Sequence, residues 1–290
     1  MTPSFVSGAD LLGTWWADVT TGPPPVRYTL PEPFDSLDMR PGRLLILGGP
    51  PGRGKTAALL QLGVDLLRFN PTTRLMVVNV EMAPALLLER IIARLSGVPL
   101  TNITDRLLTP SQVDRVQAAV AAFAPVAARL AFLSAPFHLE HVAVAATEFG
   151  VNVLILDYLQ RVPATAADVG KDKREQLETA ATILRRFCDL GVLVLAASAV
   201  ARQRGRNGSS SYEGLGLASF RNSSEIEYGC DVAFLIERGE AGNVVFRCEK
   251  SRFAEPRDIV ARFDPTTQTF RPAPVGLNGF DETAPAGEND

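Results

Sequence analysis

The sequence predicts an α/β fold: a mostly parallel sheet with helices on both faces and antiparallel strands at its C-terminal edge. Apolar runs of strand length alternate with stretches of helix length between residues 43 and 198, the pattern of parallel strands joined by crossover helices. GGPPGRGKT, residues 48–56, stands between an apolar strand and a helix, where phosphate-binding loops occur. VAFLIER, NVVFRCEK and DIVARF follow with connections too short for helices, so these closing strands should pair antiparallel.

The composition describes a globular chain without a membrane-crossing segment. With 290 residues and 46% hydrophobic content, the chain can bury a sizeable core. It has neither a long apolar run nor the basic and apolar regions of a signal peptide, so we expect no membrane contact and a cytoplasmic location. The net charge of −3 means that any contact with nucleic acid must come from particular loops. The three cysteines form no CxxC pair and are expected to be buried thiols.

The chain divides into an N-terminal linker (1–29), a core (30–271) and a disordered acidic tail (272–290). In the linker, residues 7–19 combine a capping box with leucines and tryptophans at helical spacing. The prolines of TTGPPPV cannot continue that helix and form a tether. The tail is polar, acidic and proline-containing, a composition typical of disorder.

Within the core, each predicted strand is a short apolar run, and each predicted helix has apolar residues at helical spacing. The strands before the closing three are expected at 43–48, 75–80, 130–134, 152–157 and 192–198. The helices are expected at 55–69, 84–96, 110–124, 138–149 and 172–189. The helix at 84–96, for example, places Leu87, Ile91 and Leu95 on one face. A loop rich in glycine and serine, 204–216, precedes the closing strands.

The segment GPPGRGKT, residues 49–56, matches GxxxxGK[ST] in the strand-to-helix setting that this motif requires. Its glycines let the backbone curve around a β-phosphate, so that N–H groups and the helix N-terminus face the anion. Lys55 adds positive charge toward the β- and γ-phosphates, and the Thr56 hydroxyl can bind Mg²⁺. The alternative is a chance glycine-rich turn. The residues expected to contact the phosphates of ATP are Gly49, Gly52, Arg53, Gly54, Lys55, Thr56 and Ala57.

Two further strands end in carboxylates, VNVLILD in Asp157 and LMVVNVE in Glu81. Parallel strands direct their carboxyl ends to the edge where the phosphate loop lies, so both groups can converge there. Asp157 would hold Mg²⁺, and Glu81 would orient and deprotonate the attacking water. Each has a structural alternative, because Asp157 can cap the segment after its strand and Glu81 can begin the following helix.

In this order, the phosphate loop, VNVEM and LILDYLQ resemble the motifs of DnaB-type replicative helicases, which are hexamers built on a RecA-like ATPase core. KREQL (173–177), GVLVLAAS (191–198) and FRNSSEIEYGCDVAFLIER (220–238) are similar to the elements that follow in that family. Residues 250–252, KSR, resemble its KxR segment. The resemblance covers about residues 30–271. It implies a RecA-like P-loop NTPase that hydrolyses ATP with Mg²⁺ in a ring-shaped homo-oligomer and binds single-stranded DNA in the channel.

Lys250 and Arg252 are two residues apart on the predicted strand NVVFRCEKSR, so both should face one side near its end. The resemblance implies that this side meets the γ-phosphate of a neighbouring subunit, where the lysine and an arginine finger act in trans. The residues alone also fit an exposed cationic edge that discourages strand pairing.

The sequence departs from the family pattern in three places. Only the linker precedes the core, where the family has a helical domain that recruits primase, so a primase interaction is not carried over. The helix at 7–19 is similar to a family linker and docks either on an adjacent subunit or on its own domain.

The other two departures are single-residue differences. Ala199 stands where the family has a glutamine that senses the γ-phosphate and relays its presence to the DNA-binding loop. In the DNA-contacting element, Arg221 is retained, whereas Asn222 replaces an acid and Ser224 a glycine.

Three arginines, Arg202, Arg204 and Arg206, lie on the Gly/Ser-rich loop next to that element. Arginines on a mobile loop suit a phosphate backbone, and several copies facing a channel would concentrate positive charge. A solvated surface loop is the alternative. With Arg221, Asn222 and Ser224, they form the predicted DNA-binding set.

We therefore expect an ATP-dependent DNA helicase or translocase. The main alternative is a RecA- or RadA-like DNA-binding ATPase, or a loader or regulator, that uses ATP for assembly rather than unwinding. Ala199 and the modest basicity favour that alternative. A protein that binds ATP without turnover is disfavoured, because both Glu81 and Asp157 are present.

Overall fold

The core is one nine-stranded sheet covered by helices in a computed structural model that describes residues 5–168, 173–200, 203–204, 210–211 and 229–274. The strands of this sheet are β1 Leu44–Gly49, β2 Leu75–Asn79, β3 Leu130–Phe132, β4 Val153–Asp157, β5 Leu193–Ala199, β8 Val232–Arg238, β9 Val244–Ser251, β10 Ile259–Asp264 and β11 Thr269–Pro272. Two short strands, β6 Gln203–Arg204 and β7 Ser210–Ser211, pair separately. The helices are α1 Gly8–Thr21, α2 Lys55–Phe69, α3 Pro84–Ser96, α4 Leu100–Thr104, α5 Pro110–Ala127, α6 Leu139–Phe149 and α7 Lys173–Asp189.

The strand order is β11-β10-β9-β8-β1-β5-β4-β2-β3. The six strands from β8 to β3 pair in parallel, and β8 to β11 pair antiparallel in succession. The predicted fold class is therefore confirmed. Because β1 lies in the middle, the loop that follows it sits at the centre of one edge.

Helices cover both faces because successive residues of each buried strand point to opposite sides. On β1, Leu45 and Leu47 belong to a core that includes residues of α2, α3 and α5. Leu44 and Ile46 belong to a second core with residues of α6 and α7. Cys188 and Cys230 are buried, as the sequence predicts, and Cys248 is half-buried.

The structure differs from the sequence prediction at the C-terminal edge. The first closing strand, β8, runs parallel to β1 and is antiparallel only to β9. The 32 residues between Ala199 and Val232 are long enough to return the chain to the far end of the sheet, so β8 joins as a crossover strand does. Two elements, α4 and β11, are too short to show a periodic pattern in the sequence.

Helix α1 leaves its apolar side uncovered by the described part of the molecule. Ser7 caps it by accepting a hydrogen bond from the Asp10 N–H. None of its residues is buried, and Trp15 and Trp16 are 55% and 60% exposed. Docking of the helix on its own domain is therefore not observed within the described residues. No helix in the described ranges is long and apolar enough to cross a membrane.

Candidate active site

The glycine-rich loop joins the end of β1 to the start of α2. Gly52 and Gly54 have φ of +74° and +87°, the left-handed region that favours glycine. Gly54 is also the N-cap of α2. Because glycine has no side chain to occupy the helix N-terminus, the first N–H groups of α2 are available to an anion. The loop therefore has the form that the motif predicts.

Lys55 lies across this loop. Its Nζ donates to the carbonyl oxygens of Gly49 at 2.7 Å and Pro50 at 2.9 Å. Burial lowers the pKa of Lys55 below its ordinary value, and the charges of Asp157 and Glu81 act in the opposite direction. The two carboxylates predicted to converge on the loop are thus close enough to influence its lysine.

Thr56 and Asp157 meet directly at the carboxyl edge of the sheet. The Thr56 hydroxyl donates to Asp157 Oδ2 at 2.7 Å. Asp157 is only 7% exposed, and this burial raises the pKa of its carboxyl group despite the Thr56 hydrogen bond. A hydroxyl and a carboxylate brought together at one point are the oxygen ligands that Mg²⁺ prefers, so these residues fit the predicted metal.

Asn79 joins the two predicted carboxylate positions, and sequence reasoning missed it. Its Nδ2 donates to Asp157 Oδ2 at 2.7 Å, while its Oδ1 accepts from the N–H groups of Glu81 and Met82 at 2.9 and 2.8 Å. Asn79 is 6% exposed. The sequence feature that could have indicated Asn79 is a side-chain amide at the end of an apolar strand. The backbone at Glu81 is thereby connected to the Asp157 carboxylate.

The Glu81 side chain extends from this network toward solvent. It is 50% exposed, and its Oε1 lies 3.8 Å from Arg161 Nη2. Arg161 is itself oriented by a 2.9 Å hydrogen bond from its Nε to the Tyr158 hydroxyl. Glu81 therefore lies at the same edge as Lys55 and Asp157, with Arg161 as a neighbouring cation.

We expect Asn79→Ala to lower both stability and turnover. The change removes one of the two hydrogen bonds to Asp157 Oδ2 and the acceptor of two N–H groups, each bond worth about 0.5–1.5 kcal/mol net. The free energy of unfolding should fall by about 1–3 kcal/mol, and kcat for ATP should fall about tenfold, a barrier increase of about 1.4 kcal/mol, because Glu81 and Asp157 lose their common support. Urea unfolding and steady-state ATPase assays measure the two effects.

Asn152→Ala provides the matched control for that experiment. Asn152 makes comparable bonds, accepting from the Arg74 N–H at 2.8 Å and donating to the Thr72 carbonyl at 3.1 Å, but precedes β4 at the opposite edge. It should lose stability without a comparable loss of kcat. Equal kcat losses in both variants would show that Asn79 acts only through stability.

Lys250 and Arg252 lie at the opposite edge of the sheet from the phosphate loop. Ser251 pairs with Val232, which pairs with Leu45 near the start of β1. From Leu45 to Gly49, the strand extends roughly 13 Å. The structure therefore does not bring these two cations together with Lys55 of the same chain. Arg252 is also the first residue beyond β9, not a strand residue as predicted.

Asp231 fixes Arg252 at that edge, a contact that sequence reasoning missed. The Arg252 Nη1 donates to Asp231 Oδ1 at 3.1 Å, and the Arg185 Nη1 donates to Oδ2 at 2.9 Å. Asp231 is fully buried, whereas the Arg252 side chain remains 47% exposed. Arg252 is thus held by one end of its guanidinium group, and the rest of the side chain remains partly exposed.

The predicted DNA-binding residues fall mostly outside the described part of the chain. Arg202, Arg206, Arg221, Asn222 and Ser224 are not described. Arg204 belongs to β6 by its backbone, but its side chain is not described. The DNA-binding assignment stays a prediction.

The position of Ala199 adjoins the phosphate loop, because Ala199 pairs with Gly49 between β5 and β1. A glutamine from the turn after β4 reaches this place: Gln160 accepts from the Ala199 N–H at 3.1 Å and donates to Ser198 Oγ at 2.8 Å. A side-chain amide is therefore present beside position 199, although it comes from another element.

Known proteins resemble both the sequence and the fold. The family described as DnaB-like helicase C terminal domain matches residues 34–271. The curated relatives include a "Probable plasmid replicative DNA helicase" of Chlamydia trachomatis, 24% identical over 79% of this chain and 50% of its own length. "Replicative DNA helicase DnaB" of Treponema pallidum is 27% identical over 67% of this chain and 43% of its own. This chain thus spans about half the length of these relatives.

Two solved structures share the fold at 16% sequence identity. One is the structure of an ATPase domain, with a TM-score of 0.77 over 93% of this chain and 100% of that one. "The Structure Of A DnaB-Like Replicative Helicase And Its Interactions With Primase" has a TM-score of 0.75 over 94% and 68%. Fold and site together define a RecA-like P-loop NTPase. The chain belongs to the DnaB-like helicase C-terminal domain family.

Proposed function

We propose that this chain is the motor part of a DNA helicase or translocase that hydrolyses ATP at the interfaces between its copies. The observation that carries the proposal is the separation of the site into two halves. The phosphate loop, Asp157 and Glu81 share one edge of the sheet, while Arg252 is held by Asp231 at the other. Copies packed edge to edge would bring the two halves together. Family membership and the names of the curated relatives support the nucleic-acid role.

At the edge of the sheet where the phosphate loop lies, each residue has a separate role in hydrolysis. The phosphates of ATP are bound by two kinds of group: the side chains of Lys55 and Thr56, and the N–H groups of Gly49, Gly52, Arg53, Gly54 and Ala57. Thr56 and Asp157 would hold Mg²⁺, which would supply positive charge to offset the negative charge of the phosphates. Glu81 orients a water molecule and accepts its proton as that water attacks the γ-phosphate. A bound phosphate competes with the Gly49 and Pro50 carbonyls for the Lys55 ammonium.

The second edge supplies charge to the neighbouring site. Arg252 reaches the neighbour's γ-phosphate and stabilises the transition state, and Lys250 adds to the positive charge there. The uncovered apolar side of α1 supports a homo-oligomer, because it needs a surface on which to be buried. A hexamer-like ring in the cytoplasm is the arrangement that we propose; a primase partner is not part of the proposal.

Single-stranded DNA is the proposed ligand of the channel. Arg202, Arg204, Arg206 and Arg221 would contact its phosphates, with Asn222 and Ser224 as polar neighbours. In a ring of several copies, these arginines would form a locally basic channel although the subunit carries a net charge of −3.

A RecA- or RadA-like ATPase that uses ATP for assembly is the second candidate, and Ala199 favours it. An alanine side chain beside the phosphate loop cannot form a hydrogen bond to a γ-phosphate or to a DNA-binding loop. Gln160, however, has the side-chain amide that alanine lacks. Its hydrogen bonds to Ser198 and Ala199 join the turn after Asp157 to the end of β5. In the sequence, β5 is followed by the Gly/Ser-rich loop that carries the three arginines.

We expect Gln160→Ala to reduce the stimulation of ATPase by single-stranded DNA at least fivefold while changing the unstimulated rate less than twofold. The variant removes the connection between β5 and the turn after Asp157 but leaves Lys55, Thr56 and Glu81 unchanged. ATPase rates measured with and without DNA give both numbers, with the exposed α5 residue Gln117→Ala as the matched control. Unchanged stimulation would exclude Gln160 from the coupling.

The two candidate functions are separated by measuring ATPase activity with and without single-stranded DNA and then strand displacement on a forked duplex. A motor shows DNA-stimulated turnover and displacement. An assembly switch shows stimulation without displacement. Absence of turnover in the wild-type oligomer would contradict both.

A further inference from the structure

A cavity of about 400 Å³ opens at the edge of the sheet opposite the phosphate loop. It lies near the starts of β1, β8 and β10 and the end of β9. A volume of this size accommodates a small ligand or a few side chains of a bound segment. One wall is largely apolar and is formed by residues of these four strands: Leu45, Val232, Phe234, Cys248 and Ile259.

The other wall of the cavity carries excess positive charge, because three arginines share the carboxylate of Asp38. Partial burial acts to raise the pKa of Asp38, yet the hydrogen bonds and charges of the two nearer arginines hold it below its ordinary value. Asp38 is therefore ionised, and two positive charges remain in excess. Arg257 and Glu255, which also line the cavity, pair with each other. The nitrogen-to-oxygen distances to Asp38 are 3.7 Å from Arg27, 2.9 Å from Arg40 and 2.8 Å from Arg43.

The chain leaves the sheet beside this cavity. Pro272, the last residue of β11, pairs with Ala261 of the antiparallel strand β10. The residues that follow Pro272 therefore continue toward the level of Ile259, which lines the cavity. Residue 274 is the last that the structure describes. Because β11 and β1 are four strand spacings apart, a segment that starts here crosses the whole cavity within roughly 19 Å.

The segment beyond residue 274 has a composition that matches the two walls. Residues 275–290 contain four acidic residues and no lysine or arginine. Phe280 is the single aromatic residue of the segment, and Asp281 and Glu282 follow it directly. Eight extended residues reach about 26–29 Å, so Phe280 can reach any part of the cavity from Pro272. An apolar ring beside two carboxylates is complementary to an apolar wall beside excess guanidinium groups.

We propose that residues 275–290 dock in this cavity of their own chain, with Phe280 on the apolar wall and Asp281 and Glu282 on the three arginines. Attachment at Pro272 makes the contact intramolecular. A short connection gives an effective concentration in the mM range, so a contact of low intrinsic affinity is sufficient. The same short connection favours the chain's own cavity over that of another copy. The inference does not depend on nucleotide binding and can fail while the proposed function stands.

The test uses the native thiol of Cys248, which lines the cavity and is half-buried. The rate of its labelling by iodoacetamide in the full chain is measured by peptide mass spectrometry. Phe280→Ala should raise this rate at least fivefold, as expected if the segment is docked in about four of five wild-type molecules. The double variant Asp281→Asn, Glu282→Gln should do the same. Arg27→Ala should give a smaller increase, because its side chain is 67% exposed and two arginines remain.

The controls separate docking from general effects of charge and stability. Glu288→Gln combined with Asp290→Asn removes the same charge farther along the segment. Arg262→Ala removes an exposed arginine from the other face of β10. Both variants should leave the labelling rate of Cys248 within twofold of the wild type. The buried thiols of Cys188 and Cys230 report general unfolding, and their labelling rates should be the same in every variant.

A second measurement identifies which copy supplies the segment. Thr283→Cys keeps the ring and both carboxylates, and mild oxidation should join its thiol to Cys248 within one chain. A disulfide between two chains would show that the segment of another copy occupies the cavity, which overturns the inference. Unchanged labelling of Cys248 in Phe280→Ala and in the double acidic variant would also overturn it, because the cavity would then serve a different ligand.

Discussion

Replacing Arg252 with alanine is expected to lower kcat for ATP by about 10³- to 10⁵-fold, the contribution of an arginine finger to γ-phosphate transfer. The large effect follows if Arg252 completes a neighbour's site, since the guanidinium would stabilise charge that develops only in the transition state. Folding should change little, because Asp231 keeps its bonds to Arg185 and to the Leu44 N–H. ATPase assays and thermal unfolding measure the two properties.

A mixing experiment tests whether Arg252 acts on another copy. Oligomers assembled from equal amounts of Arg252→Ala and Glu81→Gln subunits contain some interfaces in which Glu81 of one copy faces Arg252 of the next. Activity well above that of either variant alone is expected from those interfaces. Arg257→Ala is the matched control, because Arg257 is 76% exposed and pairs only weakly with Glu255 at 3.2 Å. No recovery on mixing would contradict action in trans.

Replacing Glu81 with glutamine is expected to lower kcat by about 10²- to 10⁴-fold, the range for loss of a general base. Glutamine keeps the size of the side chain and the backbone bond to Asn79, but it cannot accept a proton as a carboxylate does. ATP affinity should therefore change little. Single-turnover hydrolysis and equilibrium binding of ATP separate the two effects.

Glu140→Gln, on α6 with a 60% exposed side chain, is the control for charge removal and should retain full turnover. Should Glu81→Gln hydrolyse ATP at the wild-type rate, Glu81 would have no catalytic role; it does not begin helix α3 either, because the N-cap of that helix is Ala83. In that event, the neighbouring Arg161 would have no carboxylate base to orient, and its contact with Glu81 would be a surface ion pair of small energetic value.

Local features of the chain were predictable to a large extent. The helix expected at 55–69 and the helix expected at 84–96 have the observed limits, Lys55–Phe69 and Pro84–Ser96. The strand expected at 152–157 is observed as Val153–Asp157. These elements could be predicted because the signals that define them, apolar periodicity and the positions of glycine and proline, extend over only a few residues. The fold class followed from their alternation and is confirmed by the sheet order.

Long-range contacts of individual side chains were not predictable. The bonds of Asn79 to Asp157 and of Gln160 to Ala199 join residues 78 and 39 positions apart, and neither has a periodic pattern. The parallel pairing of β8 with β1 was also missed, because the length of a connection does not specify the edge to which a strand returns.

The sequence by itself thus determined the phosphate loop, the placement of Asp157 at the end of β4 and of Glu81 shortly after β2, and the family to which the chain belongs. Only the tertiary structure decided that Arg252 lies at the edge opposite the loop, that Asn79 connects the two carboxylate positions, and that Gln160 bonds to Ala199. The reason is physical: a motif records the local backbone that a phosphate requires, whereas the packing of distant strands depends on burial summed over the whole sheet.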